Sequence, residues 1–250
     1  MARARRGRDA EDPAALLDAL PLTSEQGRQL RESGLLELAL THRSYAYEHD
    51  AIPHNERLEF LGDAVLGLAV TEELYATHPT LSEGDLATRR AAIVNTRALA
   101  LVGRRLGLGA YVRLGRGEDL SGGREKPSIL ADTMEAVIGA VHLTLGEQAS
   151  RAYVLALLEA LLTSDEMLEA GYDFKTRLQE IAAETGDVPR YDITASGPEH
   201  GKTFTAVATI DGLVTATGEG SSKKDAELAA ARTAVRTLLA ARGESVLPRS

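Results

Sequence analysis

Five carboxylates recur at helical spacing within two apolar stretches: Glu56, Glu59 and Asp63 in NERLEFLGDAVL (55–66), and Asp132 and Glu135 in SILADTMEA (128–136). At about 100° per residue the first three fall within about 60° of one another, while Leu58, Leu61, Ala64 and Val65 lie on other sides. Like charges so placed destabilise a helix by about 0.2–0.5 kcal/mol per pair, and the stripe holds no Lys or Arg to relieve them. The second stretch is apolar on nearly every side from Ile129 to Val141, which predicts a buried helix carrying two acids inward. Burying unpaired carboxylates is costly unless cations or hydrogen-bond donors compensate. Two readings stand on the residues alone. The acids are solvated helix faces, the better account of an isolated pair such as Glu59 with Asp63. Alternatively, two acid pairs meet around hard divalent cations, Mg²⁺ or Mn²⁺, which prefer oxygen ligands. The chemistry of the second is phosphodiester hydrolysis, with one ion activating water and another, about 4 Å away, stabilising the leaving oxygen. Spacing in sequence does not say whether the two helices meet.

Positioning these acids requires a helical scaffold, and the sequence offers one. Apolar residues recur every three or four positions in segments 34–42, 57–75, 88–106, 128–145 and 150–162, each predicting a helix. A Gly-rich connection over 107–127 is expected to be mobile. Beyond it the pattern changes. A short helix, FKTRLQEIAAET, leads to three period-two segments, RYDITASG, KTFTAVATI and LVTATGEG, then to an Ala-rich helix after SSKK. Asp211-Gly212 predicts a tight hairpin turn with positive φ angles, and Ser222 with Asp225 a capping box. The expected organisation is a disordered tail 1–23, a mainly α domain 24–166, a linker 167–171, a small α+β (α-β-β-β-α) domain 172–241 and a tail 242–250.

The chain has 250 residues, 44% hydrophobic and 26% charged, within the range of ordinary globular proteins. No run approaches the roughly 20 apolar residues that span a bilayer, so no membrane partner is expected. The basic start MARARRGR lacks the apolar core of a secretory signal. The absence of cysteine closes thiol chemistry and fits a reducing cytoplasm. A net charge of −9 argues against gripping polyanions with the whole surface, so any nucleic-acid contact must be local.

NERLEFLGDAVL closely resembles the signature of the ribonuclease III family, and LTHRSY (40–45) before it and SILADTMEA after it resemble that family's flanking motifs, in the same order. The trailing α-β-β-β-α unit is similar to the double-stranded-RNA-binding domain of bacterial members. The resemblance implies a Mg²⁺-dependent endonuclease of double-stranded RNA, with Mn²⁺ substituting. It would act as a cytoplasmic homodimer in rRNA, mRNA and small-RNA processing, leaving 5′-phosphate and 3′-hydroxyl ends with two-nucleotide 3′ overhangs. By motif position, Glu59, Asp63, Asp132 and Glu135 match the metal ligands, with Glu135 the most needed for hydrolysis. Glu56 matches an acid near the RNA and the dimer interface, and Glu83 a supporting acid of the catalytic site. Phe60 matches an aromatic that enters the partner subunit, although its residue type alone suggests core. His42 and Arg43 are expected to orient helices through hydrogen bonds.

Reading duplex RNA calls for polar side chains on a rigid helix, a loop, and lysines reaching phosphates. Thr176, Gln179 and Glu180 lie on one helix face, GPEHGK supplies His200 and Lys202, and Ser222, Lys223 and Lys224 sit at a helix N-terminus, where amides favour phosphate. These positions match the family's three contact regions, although Leu228 stands where relatives often have Gln. From Gly171 to Ala240 there are 8 Lys or Arg against 10 Asp or Glu, so attraction for RNA must be local. SGPEHGKT is no phosphate-binding P-loop, because one spacer residue is missing and a strand follows, so no nucleotide cofactor is expected. The rival reading is a dimeric double-stranded-RNA-binding protein that has lost catalysis, which the presence of all four candidate ligands disfavours.

Overall fold

The computed structural model describes residues 10–163, 172–198, 202–244 and 246. It divides into two units, Met1–Tyr172 and Asp173–Ser250. The expected linker and His200 lie outside the described residues.

The first unit is helical: α1 (Pro13–Leu17), α2 (Ser24–Glu32), α3 (Leu35–Ala39), α4 (Arg43–Glu48), α5 (Glu56–Thr77), α6 (Glu83–Ile93), α7 (Thr96–Arg105), α8 (Arg116–Leu120), α9 (Pro127–Leu145), α10 (Glu147–Leu157) and α11 (Glu159–Thr163). At its centre α9 packs against α2, α3, α5, α7 and α10. Its 19 residues include an 18-residue window of mean hydropathy 1.3, long and apolar enough to cross a membrane, contrary to the expectation from sequence, yet 61% of that window is buried inside the unit. Here the helix serves as core.

The structure corrects four expectations. The predicted tail is ordered from residue 10 onward: Asp12 accepts from the Ala14 amide to start α1, and Leu16 and Leu20 are buried. A five-residue helix is too short to show a period, so its anchoring is tertiary. Segment 88–106 is two helices rather than one, because the Asn95 side chain donates to the Ala91 and Ala92 carbonyls while accepting from the Ala98 amide, ending α6 and starting α7. Segment 150–162 likewise breaks at Leu158. The Gly-rich connection is locked rather than loose. Arg124 donates to the carbonyls of Gly109, Ala110 and Val112 and pairs with Asp119 at 2.6 Å. A Cβ at Gly109 would lie 2.2 Å from the Arg124 carbonyl oxygen, so glycine allows contact here instead of freedom.

In the second unit α12 (Phe174–Ala183) precedes an antiparallel sheet of β1 (Arg190–Ser196), β2 (Thr203–Ile210) and β3 (Val214–Gly220), in that order, and α13 (Lys223–Ala241) follows. The register pairs Ile193 with Ala206 and Ala206 with Gly218. Ala206, Ala208, Ile210, Val214 and Ala216 face a buried stripe of Ala226, Ala230, Ala234 and Val235. A Cβ at Gly218 would meet the Ala230 nitrogen at 2.1 Å, so α13 lies almost on β3 and its inner face must be alanine. One local detail differs from expectation. Ile210 pairs with Val214, giving a three-residue hairpin loop in which Gly212 has φ +71° and Asp211 does not have positive φ. The Asp225 carboxylate accepts from the hydroxyls of Ser221 and Ser222, while the Ser222 hydroxyl caps the Asp225 amide.

Candidate metal centre

Two glycines bring the acids together. A Cβ built at Gly62 would sit 1.7 Å from the Glu135 carbonyl oxygen, and one at Gly139 would sit 2.3 Å from the Leu58 carbonyl oxygen. Helices α5 and α9 therefore cross backbone to backbone at Gly62 and Gly139, one turn or less from Glu59, Asp63 and Glu135. Neither glycine stood out in the sequence. The available signal was glycine inside strong helical segments, where it costs about 1 kcal/mol relative to alanine and so needs a packing reason.

The crossing sets Glu59, Asp132 and Glu135 so that ligand oxygens of all three lie within 4.8 Å of one another. Each is half-buried. Burial first, then the charges of Asp63, Asp132 and Glu59, push the Glu135 carboxyl up to about 8. Burial also raises Glu59, with Asp132, Glu56 and Asp63 adding to the effect, and burial raises Asp132. Among the described residues, the charges acting on Glu135 are all negative, those of Asp63, Asp132 and Glu59. Mg²⁺ holds oxygens at about 2.0–2.1 Å, which puts ligand atoms about 3–4 Å apart, so this donor set fits a hard divalent ion after small side-chain rotations.

Glu56, the fifth acid of the motifs, ion-pairs with Arg43 at 3.2 Å on the rim. Arg43 also lowers Glu59 and Asp132, so the relief missing from the acidic stripe itself comes from α4. His42 has the orienting role expected of it: its Nδ1 accepts from the Ser44 amide and hydroxyl, and the Ser44 hydroxyl oxygen accepts from the Gly115 amide. Burial lowers the His42 pKa. Glu83 is exposed in the first turn of α6, and its charge is not among those acting on Glu59, Asp132 or Glu135.

A cleft of about 550 Å³ runs from the acids between α4, α5 and the start of α9. Its walls include Glu59 and Asp132 and also Arg43, Asn55, Glu118 and Lys126, of which the last three had not stood out in the sequence. Glu118 pairs closely with Lys126, which holds its carboxyl below the usual range.

Phe60 is 82% exposed, so the core reading is wrong for this chain taken singly. Beside it lies an apolar hollow of about 900 Å³ lined by Leu35, Leu38, Ile52, Pro53, Leu61 and Leu143. On the second unit Thr176, Gln179 and Glu180 are exposed along one side of α12, Lys202 is exposed before β2, and Lys223 and Lys224 are exposed at the start of α13, capped by Ser222.

The acids make stability depend on pH. Glu135 has an ordinary value of 4.5 and a folded value of about 8. Between these the folded chain holds more protons than the unfolded one, so stability falls as pH rises across that window and levels off above it. A divalent ion offsets the exposed negative charge. The melting temperature in chelator is expected to fall from pH 6 to 8.5, and the increment on adding Mg²⁺ to be larger at 8.5. Equal increments at both values, read by differential scanning fluorimetry, count against a cation at these acids.

Residues 32–161 match the family described as Ribonuclease-III-like, and residues 174–238 match the double-stranded RNA binding motif. A protein of Streptomyces coelicolor named ribonuclease 3 is 57% identical over 224 residues, covering 89% of this chain and 81% of the relative. The ribonuclease 3 of Nocardia farcinica is 53% identical over 235 residues, 92% and 95% of the two chains. Among solved structures, the nuclease domain of ribonuclease III from Campylobacter jejuni aligns with a TM-score of 0.50 at 39% identity, covering 58% of this chain and 99% of that domain.

Proposed function

The chain belongs to the ribonuclease III family, an endonuclease family acting on double-stranded RNA, and from that premise we propose that it cuts duplex RNA with Mg²⁺ held by Glu59, Asp63, Asp132 and Glu135. The observation that carries this is the meeting of ligand oxygens of Glu59, Asp132 and Glu135, from two helices, within 4.8 Å, with the exposed Asp63 adding its negative charge to those acting on Glu135. Bound divalent ions, two in the mechanism we favour, supply the Lewis acidity that lowers the pKa of water and steadies the departing oxygen. In the net reaction water's oxygen bonds to phosphorus and the P–O3′ bond breaks, giving a 5′-phosphate and a 3′-hydroxyl. Glu135, half-buried and with its carboxyl pushed up to about 8 by burial and neighbouring acids, is the acid whose charge an ion would relieve, while Glu56 and Arg43 form the rim toward the strand.

In the same proposal the second unit holds the duplex. Thr176, Gln179 and Glu180 meet one minor groove, His200 and Lys202 a second contact, and Ser222, Lys223 and Lys224 the phosphates between. Two copies of the chain pair through Phe60, each entering the apolar hollow of the other, so that two acid centres cut opposite strands and leave two-nucleotide 3′ overhangs. Burying an aromatic side chain this exposed favours association by about 2–3 kcal/mol per copy. We further place the activity in the cytoplasm, in processing of rRNA, mRNA and small RNAs, and read Mn²⁺ as a substitute for Mg²⁺. The inactive RNA-binding alternative is disfavoured by retention of all four acids.

End-group analysis of the products tests the scheme, since 3′-phosphates or blunt ends contradict it. Replacing Lys223 and Lys224 with alanine is expected to weaken duplex binding about tenfold and to flatten its dependence on salt by about one to two counterions. A loss of affinity with an unchanged salt slope contradicts their assignment to phosphate.

A further inference from the structure

Asn55 stands immediately before α5, and its backbone is fully engaged: its amide donates to the Thr41 carbonyl at 2.9 Å, and its own carbonyl accepts from the Leu58 and Glu59 amides, both at 2.9 Å. Its side chain takes no part in this. Asparagine at a helix start ordinarily accepts from an amide of the first turn, but here the backbone sits at φ −77°, ψ −15° and no side-chain cap forms. The residue is 2% exposed and its Nδ2 has no hydrogen-bond partner. Buried donors are almost always paired, and an orphan lowers stability, so this one calls for an acceptor that arrives from outside.

The acceptor's chemistry follows from the surroundings. Asn55 lines the same cleft as Glu59, Asp132, Arg43 and Lys126. The first-turn amides of α5 that are not used by the Asn55 carbonyl, together with the helix dipole, favour a negative oxygen at this spot. Arg43, 61% exposed, ion-pairs with Glu56 at 3.2 Å and lines the same cleft as Asn55. A neutral donor suits the position, because a further cation would pair with Glu56 and Glu59 before any substrate entered.

We propose that Asn55 contacts the substrate directly, donating a hydrogen bond from its side-chain amide to a non-bridging phosphate oxygen of the RNA strand that lies in this cleft. The proposal rests on duplex RNA being the substrate. It makes Asn55 a residue whose buried position destabilises the free protein slightly and seats the strand against the acids.

Asn55→Ala and the same-shaped Asn55→Asp separate this role from a structural one. Cutting of a labelled duplex is expected to fall about 10–100-fold in Asn55→Ala, the size of a lost hydrogen bond to a charged group, and further in Asn55→Asp, which replaces the donor with a negative charge. The melting temperature of Asn55→Ala is expected to hold or rise, since the donor has no partner to lose. In duplexes carrying single phosphorothioates near the cut, one linkage is expected to slow the unaltered protein and to have no added effect on Asn55→Ala. The proposal is overturned if either variant cuts at the original rate, if the melting temperature falls along with cutting, or if the sulfur penalty persists in Asn55→Ala. Failure of the unaltered protein to cut the unmodified duplex would instead overturn the duplex-RNA reading beneath it.

Discussion

Replacing Glu135 with glutamine is expected to slow duplex cutting by at least about 10³-fold while leaving duplex binding largely intact. The size follows from the several kcal/mol that charge stabilisation by a metal contributes to a transition state, at tenfold per 1.4 kcal/mol. Glutamine keeps the shape beside Gly139 and removes the charge. The same substitution relieves the crowding that pushes the Glu135 carboxyl up to about 8. The variant is therefore expected to melt higher than the original in chelator above pH 8 and to gain less on addition of Mg²⁺. A structural role predicts the reverse order of melting temperatures. Equal loss of cutting and of RNA binding, in glutamine or alanine variants, would remove the role assigned to Glu135.

Gly62→Ala carries the second large effect, and it acts through distance rather than charge. The added methyl would sit 1.7 Å from the Glu135 carbonyl oxygen, where no side-chain adjustment helps because the obstacle is backbone. The helices must separate. Overpacking typically costs about 1–3 kcal/mol, and a backbone clash belongs at or above the top of that range. Separation also pulls Glu59 and Asp63 away from Asp132 and Glu135, and a misplacement of about 1 Å can cost about 10²-fold in rate. The expected variant folds with a lowered melting temperature and cuts poorly even at temperatures where it is fully folded. Normal cutting by a folded Gly62→Ala chain would mean that the helices need not approach this closely. Gly67, on the same helix with open space around its Cβ, is the control: its alanine variant should be neutral or slightly stabilising.

The acids were legible because helical spacing and an apolar background made them conspicuous, and because their motifs resemble a known family. The meeting of their two helices was not, since it depends on Gly62 and Gly139, whose importance lies in what they leave out. Phe60 shows the limit of composition: the same residue type fits a core or an interface, and only its exposure separates them. The break at Asn95 escaped notice because the apolar period continues across it, while the cap that ends one helix and starts another is a matter of three side-chain bonds. Arg124 turns an apparently loose Gly-rich segment into the fixed approach to α9 through contacts 12–15 residues away. Tertiary contacts of this kind leave no local period to read. Asn55 lay within the signature itself and gave no sign, because its interest comes from a partner it lacks.

The most direct measurement of the central claim, that the acids of α5 and α9 form a metal site that cuts duplex RNA, follows one labelled RNA duplex with the full chain, in Mg²⁺ and in chelator, recording binding and cutting on the same samples. The account predicts binding in both, cutting in Mg²⁺ alone, and no cutting in either by Glu135→Gln. Binding in both conditions without cutting in Mg²⁺, or cutting that persists in chelator, would contradict it.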